Sequence, residues 1–406
     1  MSVFFLFAPA ASAAASTALA KLRSHIAHEL AIVGPADGAY VYDLTAHRLL
    51  FSERAAVRRP PASVEKLYTS TTALELLGAD YRLATRVFGQ GHLTQSGVFE
   101  GNLFLRGGGD PTFGSVPFID AHYGGIGTAV RTLAVQLADR DHIRRVTGSI
   151  LGDETWWDRL RGDPSSGYAF DPYLEGQLSA LEFNRGEDGP YSGVHAPGEN
   201  AARHLMLALR SLGVRVAGRP GARKTPAHLR ELAVARSPTL AQLLGLMLPP
   251  SDNFFAESLI KDLGALRAGA GTTAAGAAVV RRTIARDFGL HPTLVDGSGL
   301  SETDKTSPEQ VSRLLIDLYP QKIGATLRDH LAVAGDTGTL EERMRGTAAQ
   351  GRCQAKTGTL TGVSNLAGYC RAADGDTIEF AIFNDGVELE AAHRVQNNVA
   401  ISLARY

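Results

Sequence analysis

The chain has 406 residues, 44% of them apolar and 20% charged, with a formal net charge of −1. That length exceeds what one ordinary core fills, so two domains are expected. The near-zero charge argues against a nucleic-acid binder, and no apolar stretch approaches the 18 or so residues of a membrane-spanning helix, which leaves only loose membrane association open.

Residues 1–13 read as the end of a secretion signal, with a short apolar run and Ala11-Ser12-Ala13 as an A-x-A cleavage site, although no basic residue precedes the run. Such a start implies export to the periplasm or cell envelope. A helix is expected from residue 14, then a hairpin pairing 39–44 with 49–51. Pro60-Pro61 stops the extended chain. In 63–77, Val64, Leu67, Thr71 and Leu74 fall on one face of a 3.6-residue period, which predicts a helix. The texture changes over 81–235. Strands are expected near 83–88, 101–105, 145–151 and 178–183, helices near 127–137 and 199–212, and long loops at 153–177 and 185–198. After Pro238, helices follow at 239–248, 253–266 and 270–287, and late strands at about 351–357 and 364–371. Segments 14–80 and 236–406 read as one discontinuous domain with 81–235 inserted into it. The expected fold class is mixed α/β (α+β).

Three short motifs carry chemistry. Ser63-Val64-Glu65-Lys66 is an S-x-x-K at the start of a helix. Its spacing puts the hydroxyl and the amine on neighbouring parts of one helical face, where a lysine of lowered pKa can act as base for the serine. The helix N-terminus adds N–H groups where an oxyanion would form. Ser251-Asp252-Asn253 is an S-x-N before a helix; alone it reads more readily as an N-cap. Lys356-Thr357-Gly358-Thr359 lies on a late strand, where the lysine and threonine hydroxyls can hold a carboxylate and the glycine admits a close backbone approach. Only 7 of the 41 basic residues are lysines, so lysine motifs arise less readily by chance. Asp336-Thr337-Gly338-Thr339-Leu340 echoes the third motif without its lysine and is read as a decoy. There is no G-x-S-x-G elbow, no phosphate-binding loop of the G-x-x-x-x-G-K kind and no H-E-x-x-H, and Gly107-Gly108-Gly109 reads as a turn.

The three motifs, in this order, resemble those of the penicillin-recognising serine enzymes. With the stretches 63–67, 105–112, 251–257, 296–301 and 355–369, the sequence resembles the penicillin-binding-protein-4-type D-alanyl-D-alanine carboxypeptidases, the S13 peptidase family. The resemblance implies a transpeptidase/β-lactamase-like domain with a large α+β domain between the Ser-Lys and Ser-Asn motifs. The 188 residues from Ser63 to Ser251 are few for that family, which implies a reduced insertion. It implies Ser63 as nucleophile, Lys66 as base, and the N–H groups of Ser63 and Thr359 as oxyanion hole. Lys356, Thr357 and Thr359 would bind a terminal carboxylate, with Gly358 beside them. Ser251 would relay a proton and Asn253 hold the substrate amide. The implied partners are peptidoglycan stem peptides and, as covalent inhibitors, β-lactams; endopeptidase action is the same chemistry on another bond, and no metal or cofactor is implied. Asp171, and after it Glu175, are the candidates for a free amine on the stem peptide. A class A β-lactamase shares the motifs, but Glu182-Phe183-Asn184 lacks the E-x-x-L-N spacing of its deacylating glutamate. A non-catalytic binder is the third reading.

The two cysteines permit one disulfide. If the late strands turn between Thr359 and Ser364, Cys353 falls opposite Cys370, close enough to bond. Cys353 is three residues from Lys356, so the two should point to opposite faces. Free cysteines as small core residues are the other reading.

Overall fold

The computed structural model describes residues 9–186 and 193–406. Of the signal-like start, residues 1–8 lie outside the described residues; helix Pro9–Val33 opens the described chain. The central sheet is antiparallel and six-stranded, in the order Ala332–Val333, Cys353–Leu360, Val363–Arg371, Thr377–Asp385, Gly38–Asp43, Arg48–Glu53. The expected N-terminal hairpin is therefore completed by the C-terminal strands, with Val41 opposite Phe380 and Ala39 opposite Ile382.

Both faces of this sheet are covered, which explains why Val363–Arg371 reads as a nearly unbroken buried run. Period-2 alternation splits its side chains between two cores. Leu366, Cys370, Phe380 and Ile382 pack under helices Pro9–Val33 and Leu389–Arg405. Ala367, Tyr369, Ala381 and Phe383 belong to the opposite core, with Leu67 and Leu74 of helix Lys66–Leu77, Phe254 and Ile260 of Asn253–Ala268, and Leu314 of Pro308–Leu318. The motif residues Ser63, Lys66, Asn253 and Lys356 lie where this helical layer meets the sheet.

A seven-stranded sheet is built wholly from residues 84–236. Its core contains Val87, Leu103, Leu105, Leu133, Leu137, Ile150, Leu205 and Leu209, beneath helices Val130–Val135 and Pro197–Ser211. This core draws no residue from outside 87–235. Ile119, Tyr123, Leu174 and Leu178 leave the segment and pack into the helical core instead.

Several expected elements differ. The stretch 178–183 is not a strand. It is buried, but its backbone is tied to loops: Leu178 N–H donates to Arg161 O at 2.9 Å, and Ala180 O accepts from Gly109 N–H at 2.9 Å. The run near 145–151 is two short strands, Arg145–Val146 and Ile150–Asp153. The first turn of the Ser63 helix is 3-10, over Ala62–Glu65. Strand Thr377–Asp385 and helices Pro308–Leu318, Lys322–Asp329 and Leu389–Arg405 were not among the expected elements.

Cys353 and Cys370 are directly opposed, with Cα atoms 4.1 Å apart, and form a disulfide. Both sulfurs lie against the Ala400 carbonyl of the C-terminal helix, on the face away from Lys356. Thiol titration of the denatured, unreduced protein should therefore find no free thiol; two per chain would overturn the bond. The Cys353→Ser/Cys370→Ser double variant should lose up to about 3 kcal/mol of stability from loop-closure entropy.

Candidate functional site

The Ser63 turn is held by close backbone approach. The Asn365 side-chain amide donates to both Pro60 O and Pro61 O, at 2.9 and 2.8 Å, and fixes where the Pro-Pro segment ends. A Cβ at Gly299 would lie 2.0 Å from Ala62 O, and one at Gly358 would lie 2.5 Å from Pro61 O. Gly299 is also left-handed, with φ +81°. The turn is thus wedged between the Gly358 strand and the Asp296–Ser301 loop. At Gly358 the close neighbour that a side chain would meet is the Ser63 turn itself.

Lys66 lies fully buried one turn on from Ser63. Its Nζ sits 2.9 Å from Ser63 Oγ, 2.6 Å from Asn253 Oδ1 and 2.8 Å from Ser298 O. Burial pushes its pKa down to about 8, against the opposing pull of Asp296, Glu257, Asp252 and Glu65. Lys356, also fully buried, donates to Thr357 O at 3.0 Å; burial and the nearby charge of Lys66 hold its pKa well below the usual lysine value.

Asn253 is placed from two sides. Asp252 caps its helix by accepting from Phe255 N–H at 3.0 Å. One guanidinium nitrogen of Arg185 lies 2.7 Å from both Asp252 carboxylate oxygens, and the guanidinium stacks over Phe254 at 4.9 Å. The Asn253 amide nitrogen then donates to Tyr173 O at 2.7 Å. Arg185 and Tyr173 come from the 81–235 segment, so that segment reaches the motif residues. Ser251 has left-handed φ, +67°, and is half-buried; among the described residues its hydroxyl has no hydrogen-bond partner.

Glu257 orients the loop that meets Lys66, accepting from Gly297 and Ser298 N–H at 2.8 Å each. Its pKa is raised to about 8, chiefly by burial and then by Asp296. Nothing in a lone glutamate beside Phe254-Phe255 signals this role in the sequence.

The stretch read as a decoy is part of the site. Thr339 N–H donates to Pro249 O at 2.9 Å, and the Thr339 hydroxyl accepts from Thr357 Oγ1 at 2.8 Å. Its echo of the lysine motif was the only sequence signal. Thr359 is exposed at the end of the same strand, next to Gly358 and so to the Ser63 turn.

Asp171 caps the short turn Pro172–Leu174, accepting from Tyr173 N–H at 2.8 Å. Burial, and then the neighbouring Asp163, raise its pKa. Through Tyr173 O this turn adjoins Asn253, so Asp171 stands at the rim rather than in contact with the serine-lysine pair. Glu175 is exposed, 3.9 Å from Arg185. Among the described residues, one set of acids is close enough to enclose an ion: Glu65, Asp296 and Asp304, all buried, with an oxygen of each within 4.8 Å of the others.

The family model described as "D-Ala-D-Ala carboxypeptidase 3 (S13) family" matches residues 18–172 and 188–406. The chain is 30% identical over 484 aligned positions to the D-alanyl-D-alanine carboxypeptidase of Actinomadura sp. (strain R39), covering 98% of this chain and 87% of the relative. It is 29% identical to carboxypeptidase DacB of Mycolicibacterium smegmatis, over 83% and 73% of the two chains. In fold it is similar to penicillin binding protein 4 of Haemophilus influenzae, with TM-score 0.79, 18% identity and coverage of 94% and 99%.

Arg185 and Asp252 are each about 10% exposed, so removing one partner strands the other charge in the interior. Arg185→Ala should cost about 3 kcal/mol in denaturant unfolding, and Arg185→Ala/Asp252→Ala should recover part of that loss. Equal stability of the wild type and Arg185→Ala would show that the pair holds nothing.

Proposed function

This chain belongs to the D-Ala-D-Ala carboxypeptidase 3 (S13) family, and from that premise we propose that it hydrolyses the terminal D-Ala-D-Ala bond of peptidoglycan stem peptides through an acyl-enzyme on Ser63. The carrying observation is the fully buried Lys66 amine, 2.9 Å from the Ser63 hydroxyl, with its pKa lowered by burial to about 8.

A neutral Lys66 takes the Ser63 proton as Oγ attacks the carbonyl carbon of the penultimate D-alanine. The N–H groups of Ser63 and Thr359 receive the oxyanion. Lys356, Thr357 and Thr359 hold the terminal carboxylate, and Thr339 fixes the Thr357 hydroxyl. Asn253 orients the substrate amide while its Oδ1 holds Lys66. The C–N bond breaks, the Lys66 proton passes by way of the Ser251 hydroxyl to the leaving nitrogen, and D-alanine departs. Water then attacks the ester, with Lys66 again as base, and Ser63 regains its proton. β-Lactams, whose strained amide presents the same carbonyl and carboxylate, acylate Ser63 and remain bound. Endopeptidase action needs only a longer leaving group. Segments 14–80 and 236–406 form the catalytic domain and 81–235 the insertion, a reading supported by the separate core of 87–235. No helix among the described residues is long and apolar enough to cross a membrane. The substrate class puts the enzyme in the cell envelope.

Intact-mass analysis with penicillin should show one covalent adduct on the wild type and none on Ser63→Ala; an adduct that survives the substitution would overturn the assignment. Lys66→Ala should slow acylation on the order of 10³-fold or more. The wild-type acylation rate should rise with pH and level off above about 8, because only neutral Lys66 accepts the proton. Thr339→Val should raise KM for a D-Ala-D-Ala peptide by roughly 2- to 10-fold, the value of one neutral hydrogen bond. Asp171→Ala should lower kcat/KM only for stem peptides that carry a free amine; equal values on amine-bearing and acetylated peptides would remove Asp171 from the site.

A further inference from the structure

Glu65, the third residue of the serine motif, does not face the substrate. It is fully buried, and neither carboxylate oxygen has a hydrogen-bond partner among the described residues. Its neighbours are two more buried acids. Asp296 accepts from Gly299 and Ser301 N–H at 2.7 and 2.8 Å, which uses both its oxygens. Asp304 accepts from Val295 N–H at 2.7 Å with one oxygen, and the other is unpartnered. Three acids therefore meet with three oxygens that face no N–H or O–H donor.

Lys66, one residue from Glu65, does not neutralise them by contact. Its nitrogen is committed to Ser63, Asn253 and Ser298. Other charged or titratable groups around the cluster are Glu257 and Asp252 from the Asn253 helix, Lys356 across the site, Tyr68 and Arg58, and Tyr168, which feels the charge of Asp296 and Glu257. Asp252 adds negative charge beside Lys66, and Glu257 adds it only as it ionises toward its raised pKa of about 8. The Tyr68 hydroxyl is bonded to Thr306, and Arg58 reaches out to His291 O. Three buried carboxylates with no bonded cation would repel one another and would hold Lys66 as an ammonium, useless as a base. A hard cation is a poor answer: calcium takes 6–8 oxygens and magnesium an octahedron with several waters, but only three free oxygens face this enclosed space. Protons need only oxygen pairs.

We propose that Glu65 and Asp304 are held as protonated carboxylic acids that share their protons with each other and with Asp296, and that this cluster, as a positioning group behind the nucleophile, keeps Lys66 able to lose its proton near neutral pH. This deepens the serine-lysine reading, on which it rests. The direction of titration agrees: burial first, and then the neighbouring acids, raise Glu65 well above the usual carboxylate range and Asp304 to about 9. A raised carboxyl pKa stabilises the fold at low pH and loses that contribution as pH rises toward the folded-state value.

Infrared spectroscopy of the wild type in D2O at pH 7 should show the carbonyl band of buried carboxylic acids, weakened in Glu65→Gln and in Asp304→Asn and fading in the wild type near pH 9. Between pH 5 and pH 9 the melting temperature of the wild type should fall more than that of Asp304→Asn, because asparagine has no proton to lose. The midpoint of the pH–acylation curve should stay in place in both variants, since each replaces a neutral group by a neutral one. A wild type without the acid band, a midpoint moved down by about one unit or more in either variant, or a stoichiometric metal in the purified protein would each overturn the proposal. The infrared band and the melting curves do not depend on turnover, so the cluster can fail while the serine-lysine reading stands, and the reverse.

Discussion

Burial of one amine organises this molecule. Lys66 has no exposed surface, yet its nitrogen must be fully hydrogen-bonded, because an unsatisfied buried amine is costly whether charged or neutral. The three partners that satisfy it come from three separate parts of the chain: the turn at Ser63, the helix start at Asn253 and the loop carbonyl of Ser298. Meeting that one requirement assembles the site. The same desolvation lowers the amine's pKa, so the demand that shapes the fold also suits Lys66 to the base role proposed for it.

Each partner is itself over-determined. Asn365 anchors the Pro-Pro segment, and Gly299 and Gly358 give way where a side chain would collide with the serine turn. Glu257 holds the Ser298 loop by two backbone N–H groups. The disulfide ties the lysine-bearing strand to its neighbour on the far face, where it braces the sheet without entering the cleft. These supports restrict the reacting groups to one geometry, which is what a serine-lysine pair needs in place of a histidine.

The 81–235 segment, proposed above as an insertion, reaches the motif helix directly. Arg185 grips the Asp252 cap and Tyr173 O holds the Asn253 amide. Further along the same helix, the fully buried Lys261 bonds Asp158 at 2.6 Å and Leu160 O at 2.8 Å. One helix therefore carries a motif residue at its start and is clamped by the insertion at two heights. Changes in that segment can thus reach Lys66 through Asn253.

The sequence by itself determined what is local or strongly periodic. It gave the serine-lysine spacing, the first three helices after Pro238, the N-terminal hairpin and the register that opposes Cys353 and Cys370, because helix and strand periods are properties of neighbouring residues. It misjudged 178–183, an apolar run that is buried with its backbone bonded to loops, since burial alone does not distinguish a strand from a packed loop. It dismissed Thr339 because a T-G-T without lysine has no chemistry of its own; only the packing of that turn against Pro249 and Thr357 gives it a place. Glu65 carries no signal of its own within the S-x-x-K motif; only the fold sets it against Asp296 and Asp304, more than 200 residues away in the chain. Arg185 drew no notice, and Glu257 and Ser298 stood in stretches that resemble the family without any role, for the same reason. Their effect lies in desolvation and in contacts between distant segments, and neither exists before the chain has closed on itself.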